Sequence, residues 1–201
     1  MRIVGGTFRG KKLLLPTDKH VRPTSDRARE ALFNILGHDR EMRREQGPLP
    51  CDAIVLDMFA GTGALGLEAL SRGATHVTFI DNRAASLKLV EENVKNLGAR
   101  SSTDILRRDA VNPGKPGQPY DLVLMDPPYG EDLAGPALSA LAKNGWLKPE
   151  AVIMIEVAAK ESLNPPTEFK VIKERTYGAA KLTFLRLDPD QCDDTSQIDP
   201  Q

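Results

Sequence analysis

The sequence predicts an α/β protein: an open, mostly parallel sheet with helices on both faces. Three observations carry this. From residue 51 onward, short apolar runs alternate with segments of helical periodicity, the pattern of successive βα units joined by right-handed crossovers. The run at 53–59 is nearly continuously apolar, as a parallel strand buried on both faces requires. Between that run and the next helical segment lies a glycine-rich turn, Gly61-x-Gly63-x-x-Gly66. A chain of 201 residues fits one catalytic domain with a full core.

Taken in order, Arg2-Ile3-Val4 and Lys12-Leu13-Leu14-Leu15 are expected as a short hairpin around the turn at Gly5, Gly6 and Gly10. A helix follows Pro23, capped by Thr24 or Ser25. Its stripe is Ala28, Ala31, Leu32, Ile35 and Leu36, and Gly37 ends it. Residues 38–50 are polar, charged and proline-containing, so they are expected as a surface linker. After the strand at 53–59, helices are expected over 64–72 and 83–97, stopped by Gly73 and Gly98, with a strand at 76–81 between them. Further strands are expected at 104–108, 120–126 and 151–157, with a helix over 132–144. The pair 169–175 and 181–187 alternates around Tyr177-Gly178 as an antiparallel hairpin does. The natural division is an N-terminal extension over 1–50, a core over 51–187 and a polar tail from 188, which is expected to be disordered.

Charge is unevenly distributed. Residues 1–50 carry eleven Lys and Arg against six Asp and Glu, whereas residues 188–201 carry five Asp and no basic residue, so the formal net charge of −1 conceals a basic front and an acidic tail. A basic front suits a polyanion and equally suits a solvated surface. The two cysteines, Cys51 and Cys192, and the three scattered histidines form no metal-type spacing, so no metal is expected. No secretory leader or bilayer-length apolar run is present in the sequence, which points to the cytoplasm and away from membranes.

In sheets of this kind ligands bind beyond the carboxyl ends of the strands, so the residues following each strand are the candidates. The glycines at 61, 63 and 66 let a ligand approach the backbone. Asp81, after the second strand, is placed to accept both hydroxyls of a ribose. Together these fit a nicotinamide dinucleotide or S-adenosylmethionine. Asp57 favours the second, because a carboxylate beside the glycine loop repels a pyrophosphate and attracts an ammonium and a sulfonium. The alternative role for Asp57 is to cap the following helix. Asp109, after the third strand, is placed either to accept from an adenine amino group or to close a turn.

The string Asp126-Pro127-Pro128-Tyr129 after the fourth strand points to amine chemistry. Proline lacks an N–H and biases its predecessor toward extended geometry, so this loop is rich in acceptors. The Asp126 carboxylate and Pro127 carbonyl can hold the two protons of an NH₂ group, and Tyr129 can stack on a base. An exocyclic base amine is a poor nucleophile because its lone pair is delocalised into the ring. Holding its protons would localise that pair toward a methyl donor. The same loop would serve guanine N2, adenine N6 or cytosine N4, in RNA or DNA. A small nicotinamide-dependent oxidoreductase is a further reading of Gly61, Gly63 and Asp81, although no catalytic Tyr–Lys or His arrangement accompanies them. A non-catalytic RNA-binding module is another.

The combination resembles the RsmD family, the 16S ribosomal RNA guanine N2-methyltransferases that modify guanine 966 of the small-subunit RNA. The resemblance covers nearly the whole chain to about Leu187. It rests on Arg2-Ile3-Val4-Gly5-Gly6 with Arg9-Gly10, on the stretch from Arg22-Pro23-Thr24-Ser25 through Phe33-Asn34, and on Phe59-Ala60-Gly61-Thr62-Gly63-Ala64-Leu65-Gly66 through Gly73-Ala74. The Asp126 to Tyr129 loop and Gly145-Trp146-Leu147 complete it. It implies a Rossmann-like seven-strand methyltransferase fold with its last strand antiparallel, using S-adenosylmethionine and acting on 16S ribosomal RNA in an assembling small subunit; a monomer is expected. By the same resemblance Asp57, Phe59, Gly61, Gly63, Asp81 and Asp109 belong at the cofactor, with the adjoining Asn82 and Ala110, and Asp126, Pro127 and Tyr129 belong at the guanine. Arg2, Arg9, Lys11, Lys12, Arg22, Arg27 and Arg29 are implied as phosphate contacts. Asp81 stands where the family usually has glutamate. The stretch 158–168 and the acidic tail follow no family motif.

Overall fold

The structure, a computed structural model, describes residues 1–16 and 25–188. Arg22, Thr24 and the tail from 189 lie outside the described residues. Seven strands form one sheet in the order β3-β2-β1-β4-β5-β7-β6: β1 Ile54–Met58, β2 His76–Asp81, β3 Thr103–Arg107, β4 Tyr120–Met125, β5 Leu147–Ala158, β6 Phe169–Tyr177 and β7 Ala180–Leu187. The pairs from β3 through β5 are parallel. β7 runs antiparallel to both neighbours, β5 and β6, so the sheet has the mostly parallel topology expected, with its last strand reversed.

Successive strand residues face opposite sides, which divides the core in two. Val55, Val77, Phe79, Leu122, Leu124, Val152 and Met154 meet the helices α1 (Asp26–His38), α2 (Ala64–Ser71) and α3 (Ala84–Leu97). On the other face Leu56, Met58, Ile80, Val123, Met125, Ile153 and Ile155 meet α4 (Ala134–Lys143) and Trp146. Trp146 is fully buried and stacks on Tyr120 with ring centroids 5.7 Å apart. Its indole N–H donates to the Gly114 carbonyl at 2.9 Å. β5 begins four residues earlier than 151, the start its apolar run marked. Its pairing with β4 slips between Tyr120–Leu147 and Leu122–Val152, and Pro149, which cannot donate to a ladder, falls in that slip.

The N-terminal residues share this core. Ile3, Leu13, Leu32, Phe33 and Leu36 are buried in the first cluster. The expected hairpin is a single antiparallel bridge, Arg2 with Lys12, around a compact turn. Ser25 caps α1, its side chain accepting from the Ala28 N–H. At Gly6, whose φ is +73°, a Cβ would overlap the Ser71 carbonyl, so the turn docks backbone to backbone on the end of α2.

The surface linker expected over 38–50 is instead pinned to the core. Asp39 caps a 3₁₀ turn over Arg40–Met42, and Met42 and Leu49 are buried. The buried Arg44 guanidinium donates to Asp121 at 2.8 Å and to the Cys51 carbonyl at 2.7 Å. Asp121 also accepts from Ile54 N–H and Lys148, each at 2.8 Å. Burial pushes the Asp121 carboxyl up, but Lys148, the Ile54 amide and Arg44 outweigh it and hold it below its ordinary value. Arg44→Ala is therefore expected to cost about 3 kcal/mol, the lower end for breaking a buried pair because Lys148 still serves Asp121. Because the folded carboxyl is depressed, this contribution exists above its unfolded value and fades as pH falls. In urea denaturation the gap between wild type and variant should begin to narrow near about pH 4 and shrink further as pH falls through the lower folded value.

Candidate active site

The glycine turn leaves the end of β1 through residues of positive φ: Phe59 at 64°, Gly61 at 55° and Gly63 at 76°. Gly66 carries a different demand, because a Cβ there would lie 2.5 Å from the Phe79 ring and 3.0 Å from Asp57 Oδ2, so α2 packs directly on the strands. Gly63, the residue before α2, has no side chain to cap it. Asp57 does so from the strand: its buried carboxylate accepts from the Gly66 N–H at 2.8 Å. The helix-capping role is therefore present. Burial pushes the Asp57 carboxyl well up, the Gly66 amide opposes this, and the Asp126 and Asp81 charges add to it.

Asp81 ties β2 to the same turn. One oxygen accepts from Gly61 N–H at 2.9 Å and the other from Arg83 N–H at 2.8 Å. Asp109 is exposed and closes a turn by accepting from Val111 N–H at 3.0 Å, while Ala110 is buried in the second core. Asn82 is exposed, its carbonyl accepting from Arg107 at 3.1 Å. Asn93 on α3, which local sequence patterns did not single out, is fully buried and links the turn to the N-terminal extension. It donates to the Thr62 carbonyl at 3.0 Å and accepts from Leu14 N–H at 2.7 Å.

Strand register brings the two candidate loops together. Met58 pairs with Met125 in adjacent parallel strands, so Phe59 and Asp126 are the next residues out of neighbouring strands. Pro127 is buried beneath this loop, while Tyr129 is half exposed. The Tyr129 hydroxyl donates to Glu156 Oε1 at 3.1 Å, at the end of β5. Burial and then the Glu156 and Asp126 charges push the phenol far above its ordinary value, so it stays a donor. Beside it is a cavity of about 190 Å³ walled by the Pro127 to Gly130 loop, the start of α4, Glu156 with Val157, and Glu161 to Leu163. The stretch 158–168, which follows no motif, thus supplies one wall. Glu161 fixes it by accepting from Gly130 N–H at 3.0 Å and Ala158 N–H at 3.3 Å.

Of the basic residues, Arg2, Arg9, Lys11, Lys12 and Arg27 are exposed. Arg29 is not a phosphate contact in this conformation, contrary to expectation. Its side chain is fully buried, donating to the Arg2 carbonyl and to Asp26 and pairing with Glu68 at 3.6 Å. Its helix position beside an apolar stripe turns it inward, toward a carboxylate that lies far along the chain.

The family model described as Conserved hypothetical protein 95 matches residues 1–186. The chain is 38% identical over 180 residues to Ribosomal RNA small subunit methyltransferase D of Escherichia coli strain K12, covering 89% of this chain and 85% of that protein. It belongs to that family. The family member from Haemophilus influenzae is 35% identical over 187 residues, covering 89% of each chain. The solved putative methyltransferase yhhF from Escherichia coli superposes with a TM-score of 0.77 at 34% identity, covering 94% of this chain and 98% of that one. The fold is therefore the Rossmann-like methyltransferase fold, and S-adenosylmethionine is its methyl donor.

The residues present fit that donor. A Cβ at Gly61 would meet only the Phe59 carbonyl, 3.9 Å away, so its face of the turn is open to a ligand. Asp57, Asp81 and Asp126 lie close enough for their charges to interact, which suits a cationic ligand and disfavours a pyrophosphate. Among the described residues no helix is long and apolar enough to cross a membrane.

Proposed function

We propose that the chain methylates the exocyclic N2 amine of a guanine in 16S ribosomal RNA, presented in an assembling small subunit in the cytoplasm, and that it acts as a monomer. The observation that carries this reading is the register that sets Asp126 beside the cofactor turn. Asp57, Phe59, Gly61, Gly63, Asp81, Asn82, Asp109 and Ala110 would hold S-adenosylmethionine, which when bound would supply an electrophilic methyl on a cationic sulfur. The protein's own part is positioning. The Asp126 carboxylate and the Pro127 carbonyl hold the two amine protons, which directs the nitrogen lone pair toward the cofactor side. Asp126 takes the proton that the methylated amine releases. Tyr129 stacks on the base, and Arg2, Arg9, Lys11, Lys12, Arg22 and Arg27 meet phosphates. The names of the curated relatives support the ribosomal RNA substrate.

The test supplies labelled S-adenosylmethionine with small-subunit particles lacking the modification, deproteinised 16S RNA or duplex DNA, followed by nucleoside analysis. N2-methylguanosine formed on particles is the expected result. Label in N6-methyladenine or N4-methylcytosine, or transfer confined to DNA, overturns it.

Asp57→Asn separates the two roles of that residue. The amide oxygen can still accept from Gly66, so α2 remains capped. Loss of the charge should weaken S-adenosylmethionine binding about 10- to 100-fold in a titration. Because burial raises the Asp57 carboxyl, the folded chain retains its proton to higher pH than the unfolded chain, and stability falls as pH rises toward the raised value. The ligand-free variant should therefore melt above wild type at neutral pH, the difference shrinking toward acid.

A further inference from the structure

The loop on one side of the cavity beside Tyr129 offers acceptors and few free donors, while the start of α4 and Ser162 line another side. Pro127 and Pro128 have no N–H, Gly130 N–H is taken by Glu161, and the Tyr129 hydroxyl is taken by Glu156. Glu156 is nearly fully buried yet lines this cavity, at the end of the strand next to the one that carries Asp126. Met125 pairs with Ile155 in the parallel β4–β5 ladder, so Asp126 and Glu156 are the next residues out of neighbouring strands. A carboxylate offers about four acceptor sites, so Glu156 can serve more than one donor at once, Tyr129 among them.

The edges of the bases differ at the atom beside the amine. In adenine and cytosine the ring nitrogen next to the exocyclic amine is a bare acceptor, which would face a carboxylate lone pair to lone pair. In guanine the ring nitrogen N1, next to the N2 amine, carries a hydrogen. Guanine alone of the three presents donors at both positions, matching two acceptor groups set side by side.

We propose that Glu156 is the specificity-determining residue of this site, its carboxyl accepting the N1–H of the target guanine while Asp126 and Pro127 hold the N2 amine. The assignment rests on the guanine reading above and gives it a structural cause. The burial of Glu156 holds its carboxyl at the cavity wall, where the Tyr129 hydroxyl also meets it, and Glu161 closes the far side. A site built to hydrogen-bond an N–H rejects an analogue lacking it because a buried acceptor is then left facing another acceptor.

The test uses small-subunit particles assembled on RNA carrying either guanine or 2-aminopurine at the target position. 2-Aminopurine keeps the N2 amine and lacks the N1–H. Wild type should prefer guanine by about 100-fold or more in kcat/KM. In Glu156→Gln the side-chain amide can donate to the bare N1, so the preference should fall at least about tenfold, with S-adenosylhomocysteine affinity unchanged. Tyr129→Phe should lower turnover but keep the preference for guanine. Equal use of both bases by wild type, an unaltered preference in Glu156→Gln, or the same shift in Tyr129→Phe each overturns the assignment, the last by reducing Glu156 to a holder of the ring. The wild-type comparison needs no variant to fold. Absence of any N2-methylguanosine from wild type sinks the guanine reading itself, a different result from active enzyme with no discrimination.

Discussion

Asp126→Ala is expected to lower single-turnover methyl transfer by roughly 10²- to 10⁴-fold, the range for removing a positioned proton acceptor, with cofactor affinity retained. The residue leaves β4 next to Phe59, and in the proposed complex it alone both orients the amine and takes its proton. Its loss leaves the Pro127 carbonyl to hold one amine hydrogen, so the lone pair drifts back into the ring. Asp126→Asn keeps an amide oxygen that can accept one amine hydrogen but has no carboxylate to take the released proton, so its loss should be smaller than that of alanine. S-adenosylhomocysteine affinity should stay nearly level, because that product analogue lacks the sulfonium charge that Asp126 would attract. The decisive measurement is transfer rate set beside product-analogue binding on the same preparation. A loss of binding as large as the loss of rate would make Asp126 a cofactor residue and not an amine holder.

What the chain discloses locally and what it conceals follow one physical division. Strand and helix periods are local, so the βα units, the reversed final hairpin and the loops after β1, β2 and β4 were legible; each of those loops is a short string whose meaning lies in its own residues. Buried charge is not local. Arg44 sits in a stretch that looks like solvated linker, and only its partner Asp121, brought alongside when β4 joins the sheet, makes it interior. Arg29 reads as a basic surface residue until Glu68 is placed against it. The cavity wall from Glu156 to Leu163 was opaque for the same reason. Nothing in that string marks a site; β5 pairing with β4 brings its end to the Asp126 loop. The one local sign was charge inside the apolar run 151–157, where Glu156 interrupts residues otherwise buried on both faces.

Glu68→Ala is expected to release the N-terminal extension and with it most activity on particles. Glu68 is fully buried on α2, where its two oxygens accept from Val4 N–H and Gly5 N–H, each at 2.8 Å, and from Arg72 at 2.7 Å. Arg29 lies 3.6 Å away, buried in turn. Removing the carboxylate takes one charge partner from the buried Arg29, a loss of about 3 kcal/mol because Asp26 still serves it, and leaves two amide donors unsatisfied at about 1–3 kcal/mol each. Together these rival the whole stability of a domain, about 5–15 kcal/mol. The chain has a less costly escape, which is to let residues 1–16 leave α2 and rehydrate. Local release should therefore precede global unfolding, visible as fast hydrogen exchange at the Val4 and Gly5 amides and early N-terminal proteolysis. Gly6→Ala reaches the same state without altering charge, since its Cβ would overlap the Ser71 carbonyl at a backbone φ of +73°. Arg2, Arg9, Lys11 and Lys12 ride on the released segment, so both variants should lose transfer to particles more than they lose S-adenosylhomocysteine affinity. The Asn93 bonds to Leu14 and Thr62 set how much of the disturbance reaches the cofactor turn. Full transfer by a variant whose extension exchanges freely would remove that segment from the RNA interface.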